Sequence, residues 1–278
     1  MFSFFQKKTP LTTIFPADFV DIHSHFLPNI DDGSKDTDKS LEQLKIMEAG
    51  GIERVYLTSH YFRGHYQYSR EEYDAKLAAL QGSARNAGLG LDLQSGFEVF
   101  VQPGIITDIQ EKNLCLSNSK YLLIESELNG LPGDFYSNVY PMLKAGYKPI
   151  LAHAERYVSI MKKPSRARDL VDKNLYIQTN AGALLGYYGE KVRQTAWVIL
   201  ENGWSHFVAS DDHVRGDYVA LFEAHQMIAD RIDEHTANLL CKDFPAAIGN
   251  GDKIPYTYVY VQKPKNRRRK GILEIIFG

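Results

Sequence analysis

The chain has 278 residues and a formal net charge of -2, with 44% hydrophobic and 24% charged residues. This composition is that of an ordinary soluble globular protein; it excludes a disordered or fibrous chain, and the charge creates no overall field that would attract nucleic acid. Cys115 and Cys241 are too few for a disulfide framework, and the apolar ends are shorter than the roughly 20 residues that cross a bilayer, so we expect a cytoplasmic protein without a membrane span.

The first predicted elements are a strand, a helix and a second strand. Residues 19–23 form a short apolar run, typical of a buried strand. The following helix carries apolar residues at three-residue spacing, with Thr37 or Asp38 as its N-cap and Gly50 at its end. The next β-rich run covers residues 54–59, which makes a strand–helix–strand unit.

The same alternation continues along the chain. Further strands are predicted at 91–99, 121–126, 148–153, 175–179 and 206–210, and further helices at 71–87, 134–145, 165–173, 190–201 and 217–230. About seven strands without an intervening linker favour one closed or nearly closed parallel barrel, with an open doubly wound sheet as the alternative. Periodicity cannot decide between them, because both bury their strands on two faces.

We expect three segments in the chain. Residues 18–262 form the barrel domain, and residues 1–17 form an N-terminal extension. Residues 263–278 form a tail that begins with the basic run KPKNRRRK, which suits a solvated terminus better than a docking segment.

Ionisable residues follow the predicted strands. His23 and His25 lie one residue apart at the end of the first strand, so their side chains project to one side and can chelate one cation. Other candidates end or follow later strands, namely His60, Glu98, Glu125, His153, Asp211 and His213. Each alone has a simpler explanation as a packed or solvated side chain. In a parallel barrel, however, all of them would surround one mouth.

Cations would explain such a gathering of charge. Unpaired ionised groups lose several kcal/mol of hydration when they are buried, and bound metal removes that cost. Imidazole nitrogen and carboxylate oxygen without cysteine suit zinc, manganese or iron. The pattern therefore predicts a metal-dependent enzyme.

Six short motifs carry a family resemblance. In chain order they are DIHSH at 21–25, DDGSKD at 31–36, TSH at 58–60, GFE at 96–98, AHAERY at 152–157 and SDDH at 210–213. They resemble the polymerase-and-histidinol-phosphatase (PHP) superfamily and, within it, the bacterial capsule-type protein-tyrosine phosphatases. The resemblance covers about Val20 to Asn250.

The resemblance implies a distorted seven-stranded TIM-like barrel and a site for three divalent metal ions, with manganese preferred and iron or zinc as alternatives. By motif, the ligands are His23, His25, Glu98 and Asp211 for the first ion, Glu98, Glu125 and His153 for the second, and Asp32, His60 and His213 for the third. Asp31 competes with Asp32 for the last assignment.

Arginines beside these motifs are candidates for phosphate binding. Arg156 lies three residues beyond His153, where a planar guanidinium could bind two phosphate oxygens. Arg215 and Arg63 are further candidates, and Asp212 could donate a proton to the leaving group. Tyrosine has a pKa of about 10 and leaves more easily than an alkyl alcohol, so a strong acid can be dispensable.

The resemblance implies hydrolysis of phosphotyrosine in a protein, on a membrane-associated bacterial tyrosine kinase that controls capsule or exopolysaccharide production. The alternatives are a small-molecule phosphatase such as histidinol-phosphate phosphatase, a nuclease, and a non-catalytic metal-binding module. A cysteine-based phosphatase is excluded, because Tyr121 and Ala247 stand six positions after the two cysteines, where that chemistry needs arginine. The oligomeric state stays open.

Overall fold

The computed structural model of the protein describes residues 18–66, 68–215 and 220–258. In these ranges seven strands alternate with helices. The strands are β1 Phe19–Ser24, β2 Ile52–Tyr61, β3 Asp92–Phe100, β4 Tyr121–Glu125, β5 Lys148–Leu151, β6 Tyr176–Asn180 and β7 Phe207–Ala209.

The α-helices of the described ranges lie mostly between the strands. They are α1 Thr37–Ala49, α2 Arg70–Asn86, α3 Ile105–Lys112, α4 Phe135–Lys144, α5 Val158–Lys162, α6 Arg166–Val171, α7 Ala181–Leu185, α8 Glu190–Glu201, α9 Ala220–Arg231, α10 Glu234–Asn238 and α11 Phe244–Asn250. A 3₁₀ turn covers Ala154–Arg156, and a π-helical turn covers Leu239–Asp243. No helix of the described part is long and apolar enough to cross a membrane.

The strands form one parallel sheet in chain order from β1 to β7. The sheet curls until its two ends meet. The Asp211 amide donates to the His23 carbonyl at 2.8 Å, and the His25 amide donates to the Asp212 carbonyl at 2.9 Å. The predicted seven-stranded, single-domain barrel is confirmed. An open doubly wound sheet would reverse its strand order instead of bringing the first strand to the last.

Apolar side chains fill the barrel and the layer beneath the helices. All six residues of β1 are buried, including Ile22, and Tyr56 on β2 and Leu123 on β4 are also fully buried. The segment after α11 closes the N-terminal mouth, where the Tyr176 hydroxyl donates to the Ile254 carbonyl at 2.7 Å. The C-terminal mouth is left for the ionisable residues.

The N-cap of α1 is not one of the two residues that the sequence predicts. The cap is Asp36, whose carboxylate accepts from the Lys39 amide at 2.8 Å, and not Thr37 or Asp38. Asp36 has extended backbone, which lets its side chain fold back onto the first turn, whereas Thr37 is already helical. The predicted end at Gly50 is confirmed.

Short helices were missed by the prediction. The helix α3 has only eight residues and begins after Gly104, at φ 71°, with no side-chain cap. A helix this short has little periodic signal. The predicted segments 1–17 and 263–278, and the last residues of the predicted barrel domain at 259–262, lie outside the described residues, so these boundaries stay predictions.

Candidate metal centre

Ionisable side chains converge at the C-terminal mouth of the barrel in three overlapping groups. Within each group, one ligand atom from every residue lies within 4.8 Å of the others. The groups are His23, His25 and Asp211; His60, Glu98 and Glu125; and His25, Asp32, His60 and His213. The mouth thus brings together all nine predicted ligands, because His153 contacts Glu98.

The first group surrounds the end of β1. The Nε2 atoms of His23 and His25 lie 3.2 Å apart. The Asp211 Oδ1 atom lies 3.3 Å from His23 Nε2 and 3.6 Å from His25 Nε2. Three donor atoms that face one another at this spacing suit chelation of one cation.

Glu98 stands between the first and second groups. Its Oε2 atom lies 3.3 Å from His23 Nε2 and 3.1 Å from His60 Nδ1, and its Oε1 atom lies 2.8 Å from His153 Nε2. Glu125 completes this group, with Oε1 at 2.9 Å from His60 Nδ1. A carboxylate with imidazoles at both oxygens is placed to bridge two cations.

Asp31 and Asp32 have different partners. Asp31 Oδ2 lies 2.9 Å from His25 Nδ1 and accepts from the His60 amide at 3.1 Å, so Asp31 orients a ligand from behind. Asp32 Oδ1 lies 3.4 Å from Nε2 of both His60 and His213. The geometry favours Asp32 as the ligand of the third group.

The DDG motif requires its glycine because the backbone passes close to His25. A Cβ atom on Gly33 would lie 2.1 Å from the His25 carbonyl oxygen. Only glycine lets the chain turn here, and the turn places Asp31 and Asp32 on either side of the imidazoles.

The residues fit divalent metal ions. In the described part of the chain, two buried carboxylate oxygens in the centre have no hydrogen-bond partner, Glu98 Oε2 and Asp32 Oδ1. An unpartnered buried carboxylate oxygen is costly unless a cation binds it. The nitrogen and oxygen donors suit manganese, iron or zinc.

Electrostatics keep the carboxylates ionised. Burial opposes the charge of Glu98, but His23 and His60 hold its pKa well below its usual range. Burial also opposes protonation of His60, yet Glu98, Asp32 and Glu125 together raise its pKa to about 12. A bound cation would displace the protons from these imidazoles and retain the anionic partners.

Two ligand candidates have left-handed backbone. The φ angles of His153 and Asp211 are 36° and 54°, an arrangement that costs non-glycine residues about 1–3 kcal/mol. Both residues stand where a strand ends and the chain turns sharply. The turn directs their side chains into the mouth instead of along the sheet.

Two supporting residues on β6 were missed by the sequence analysis. Gln178 Oε1 accepts from the His153 amide at 2.8 Å and lies 3.1 Å from His23 Nδ1. Gln178 Nε2 donates to Asn180 Oδ1, and Asn180 Nδ2 donates to Asp211 Oδ2, each at 2.7 Å. The available signal was the polar sequence YIQTN in a strand whose neighbours predict full burial.

Arg156 and Arg215 lie beside the centre. Arg156 Nη1 donates to Asp211 Oδ2 at 2.9 Å, and its guanidinium carbon lies 4.8 Å from the centre of the Tyr188 ring. Arg215 Nη2 donates to Asp32 Oδ2 at 2.8 Å, and its side chain is 68% exposed. Both predicted phosphate-binding groups therefore contact a ligand candidate.

Arg63 is directed away from the centre, in contrast to its predicted substrate role. Its guanidinium binds both carboxylate oxygens of Asp108 and the carbonyls of Pro103 and Gly104. These contacts occupy its donors at the β3–α3 loop. In this arrangement the Arg63 guanidinium does not contact any of the ligand candidates.

The carboxyl group of Asp212, the predicted proton donor, has two hydrogen-bond partners among the described residues. Its two carboxyl oxygens accept from Gln43 Nε2 at 2.6 Å and from the Val214 amide at 2.7 Å. Burial raises its pKa to about 7. These contacts let Asp212 hold the turn between Asp211 and His213, and its role as proton donor stays a prediction.

The chain is similar to known proteins across the whole barrel. Residues 19–249 match the family model described as capsular polysaccharide synthesis, CpsB/CapC. The chain is 32% identical over 197 residues to the putative tyrosine-protein phosphatase CapC of Staphylococcus aureus, covering 70% of this chain and 76% of that protein. The tyrosine-protein phosphatase YwqE of Bacillus subtilis is also 32% identical over 197 residues, with 70% and 77% covered.

Solved structures share the fold. A chain from the crystal structures of YwqE from Bacillus subtilis and CpsB from Streptococcus pneumoniae, described as unique metal-dependent tyrosine phosphatases, matches with a TM-score of 0.79 and 26% identity. The match covers 88% of this chain and 100% of that chain. Histidinol phosphate phosphatase from Lactococcus lactis matches at 14% identity with a TM-score of 0.54, which is a likeness of fold alone.

Proposed function

Because the chain belongs to the CpsB/CapC family of capsular polysaccharide synthesis proteins, we propose that it hydrolyses phosphotyrosine in proteins as a metal-dependent phosphatase. The observation that carries this proposal is the convergence of imidazoles and carboxylates at one mouth, with Arg156 hydrogen-bonded to Asp211 at its edge. Phosphoryl transfer needs side chains that hold metal ions together with a positively charged side chain that binds the phosphate.

We propose three divalent metal ions in this centre, with manganese as the preferred ion and iron or zinc as alternatives. His23, His25, Glu98 and Asp211 would hold the first, Glu98, Glu125 and His153 the second, and Asp32, His60 and His213 the third. When bound, such ions lower the pKa of water from about 15.7 towards about 7 and neutralise charge on the phosphoryl group.

Arg156 and Arg215 would hold the phosphate oxygens. The contacts of Arg156 with Asp211 and Tyr188 limit the positions that its guanidinium can take before the substrate arrives. Arg215 is more exposed and would close on the phosphate from the solvent side. A guanidinium binds two oxygens at once, which orients the phosphate for in-line attack.

The leaving group explains why a side-chain acid is dispensable. The phenol of tyrosine has a pKa of about 10, so its oxygen departs without full protonation. This agrees with the contacts of Asp212, whose carboxyl oxygens are engaged by Gln43 and Val214. The same site would hydrolyse an alkyl phosphate more slowly.

The mouth is accessible to a phosphate carried by a protein. The side chain of Asp32 is 43% exposed, whereas that of Glu98 is fully buried, so the third group faces solvent and the first lies deep. We propose that the natural substrate is a membrane-associated bacterial tyrosine kinase that controls capsule or exopolysaccharide production, and that the enzyme acts in the cytoplasm.

The test compares substrates of different classes. Manganese-loaded full-length protein is assayed on a phosphotyrosine peptide, histidinol phosphate and single-stranded DNA, with Glu98→Gln as the inactive variant. Glu53→Gln, at the opposite end of the barrel, is the matched control. We expect the peptide to be hydrolysed much faster than histidinol phosphate, and the DNA not to be cleaved. Preferential hydrolysis of histidinol phosphate or DNA, or metal binding without any turnover, would contradict the proposal.

A further inference from the structure

A groove leads from the metal centre across the rim of the barrel, between the loops that follow β2, β3 and β4. Its inner part is a cavity of 430 Å³ whose wall includes His60 and Glu125. Its outer part is a cavity of 340 Å³ that extends to Asp134. Phe62 and Phe100 line both parts, so the two cavities adjoin. We name the two cavities together the rim groove.

The wall shared by the two cavities is aromatic. The rings of Phe62 and Phe100 stack with their centres 4.1 Å apart and an angle of 9° between their planes. Both side chains are half-buried, although large apolar side chains are most stable when water is fully excluded. Stacked rings that remain partly exposed beside a candidate active site are a typical surface for binding a ligand's apolar side chain.

The outer part of the groove is acidic. Glu127 and Asp134 line it, and both side chains are exposed. Neither forms a salt bridge with any residue that the structure describes. Glu127 also lines the inner cavity. Cations at the metal centre would attract the phosphate, whereas the carboxylates of Glu127 and Asp134 favour a basic side chain further along the groove.

Two polar atoms of the described residues in the wall lack a hydrogen-bond partner. Ser126 lines both cavities and Gln102 lines the outer one. Across the described ranges, Ser126 Oγ and Gln102 Oε1 have no hydrogen-bond partner. The amide and carbonyl groups of an extended peptide would supply such partners after small side-chain rotations.

We propose that the rim groove binds the residues next to the phosphotyrosine and selects substrates with a lysine or arginine there. An apolar part of the peptide would lie on Phe62 and Phe100, while the basic side chain reaches Glu127 and Asp134. The inference rests on the proposed function, because it assumes that the phosphate binds at the metal centre. It adds a sequence preference that the metal centre alone would not impose.

The charge preference is tested with two phosphotyrosine peptides that differ only in having flanking lysines or flanking glutamates. Both are assayed with the manganese-loaded full-length protein at low ionic strength, where exposed charges are least screened. We expect kcat/KM to be about 5-fold higher for the lysine peptide, as exposed charge pairs allow. Glu127→Lys should abolish or invert this preference, whereas Glu53→Lys at the opposite end of the barrel should keep it.

The aromatic wall is tested with the same peptides and with p-nitrophenyl phosphate, an aryl phosphate without a peptide. Phe100→Ala should lower the ratio of kcat/KM for peptide to kcat/KM for p-nitrophenyl phosphate by about 10-fold, mainly through KM. Removing a half-buried ring can also weaken folding, so circular dichroism accompanies this variant. The exposed Glu127→Lys substitution avoids that difficulty.

The possible negative results distinguish failure of the groove proposal from failure of the phosphatase proposal. If the wild-type protein hydrolyses both peptides equally well and Glu127→Lys changes nothing, the groove proposal is wrong and the phosphatase proposal stands. If the loaded wild-type protein hydrolyses none of the three substrates, the proposed function itself fails. If Glu127→Lys instead changes self-association in light scattering, the groove holds a second copy of the chain, and the peptide proposal is overturned.

Discussion

Glu98 contacts imidazoles through both of its carboxylate oxygens, and its side chain is fully buried. Under the proposed ligand assignment Glu98 would contact two cations, so its replacement would affect both of them. Arg156 differs, because it donates to Asp211 Oδ2 without being a candidate ligand itself. The two residues therefore separate metal binding from phosphate binding.

We predict that Glu98→Gln lowers the bound metal and abolishes turnover, because the amide cannot supply two anionic oxygens. Arg156→Ala should retain the metal and slow turnover by about 100-fold, as expected for the loss of one charged contact in the transition state. Elemental analysis and phosphotyrosine-peptide kinetics measure both effects. Equal loss of metal in the two variants would show that Arg156 acts on the centre and not on the phosphate.

Gln178 provides a second residue-scale prediction. It orients His23 and fixes the backbone of His153 through one carbonyl oxygen. Replacing groups that orient metal ligands typically lowers metal affinity by 10- to 100-fold. We expect Gln178→Leu to do so, measured by titration of manganese into the metal-free protein. Gln194→Leu, on the exposed face of α8, is the matched control, and equal affinities would contradict the prediction.

At the scale of elements, the loop between β1 and α1 links a helix cap to the metal centre. Asp31 and Asp32 lie four to five residues before Asp36, which caps α1. The Ser40 hydroxyl in the first turn of that helix donates to the Phe26 carbonyl at 2.8 Å, which ties the helix to the loop. The position of the acidic loop thus depends on where the helix begins.

We predict that Asp36→Ala destabilises the protein by about 1 kcal/mol, because the Lys39 amide loses its acceptor. Asp36→Asn should be close to the wild type, since asparagine caps helices equally well. Urea unfolding of the metal-free proteins measures the free energy of unfolding. Similar losses in both variants would mean that the charge of Asp36 matters more than its cap.

At the scale of the whole molecule, the two mouths of the barrel have different chemistry. At the C-terminal mouth, backbone hydrogen bonds join the first strand to the end of the last through residues that include the ligand candidates His23 and Asp211. The N-terminal mouth is closed by the segment after α11, which His206 holds through the Tyr256 carbonyl at 2.9 Å. Substitutions at the N-terminal mouth can therefore change stability without removing a ligand candidate.

His206 predicts a pH dependence that does not involve the metal centre. Its Nδ1 atom accepts from the Ile177 amide while Nε2 donates to Tyr256, an arrangement that requires the neutral imidazole. Burial lowers its pKa to about 4, against about 6.5 when unfolded. Because the unfolded chain binds the proton more readily, this stabilisation is complete above pH 6.5 and is lost as the pH falls towards 4.

Between pH 6.5 and pH 4, the titration of His206 should lower the free energy of unfolding of the wild type by about 3 kcal/mol. We predict that His206→Gln lacks this loss, so that its free energy of unfolding falls by about 3 kcal/mol less over the same range. Unfolding curves at each pH give the difference, in which contributions of the metal centre cancel. His235→Gln, an exposed histidine of α10, is the control. Parallel curves for the wild type and His206→Gln would show that His206 does not titrate in this range.

The sequence by itself determined the alternation of strands and helices and the chain positions of the candidate ligands. Both depend on local pattern, because apolar runs define the strands and the ionisable residues stand at strand ends. His23, Glu98 and Asp211 could be selected in this way, and their roles as ligands stay predictions.

The pattern of strands and helices left the barrel and the open sheet as alternatives, and the family resemblance favoured the barrel. The fold itself confirms the barrel, since contacts between β1 and the end of β7 join residues nearly 190 positions apart. It also gave Arg63 and Asp212 other partners, separated Asp31 from Asp32, and brought Gln178 and Asn180 behind the ligands. These outcomes depend on which donors and acceptors meet across the fold. Residue type and spacing along the chain do not contain that information.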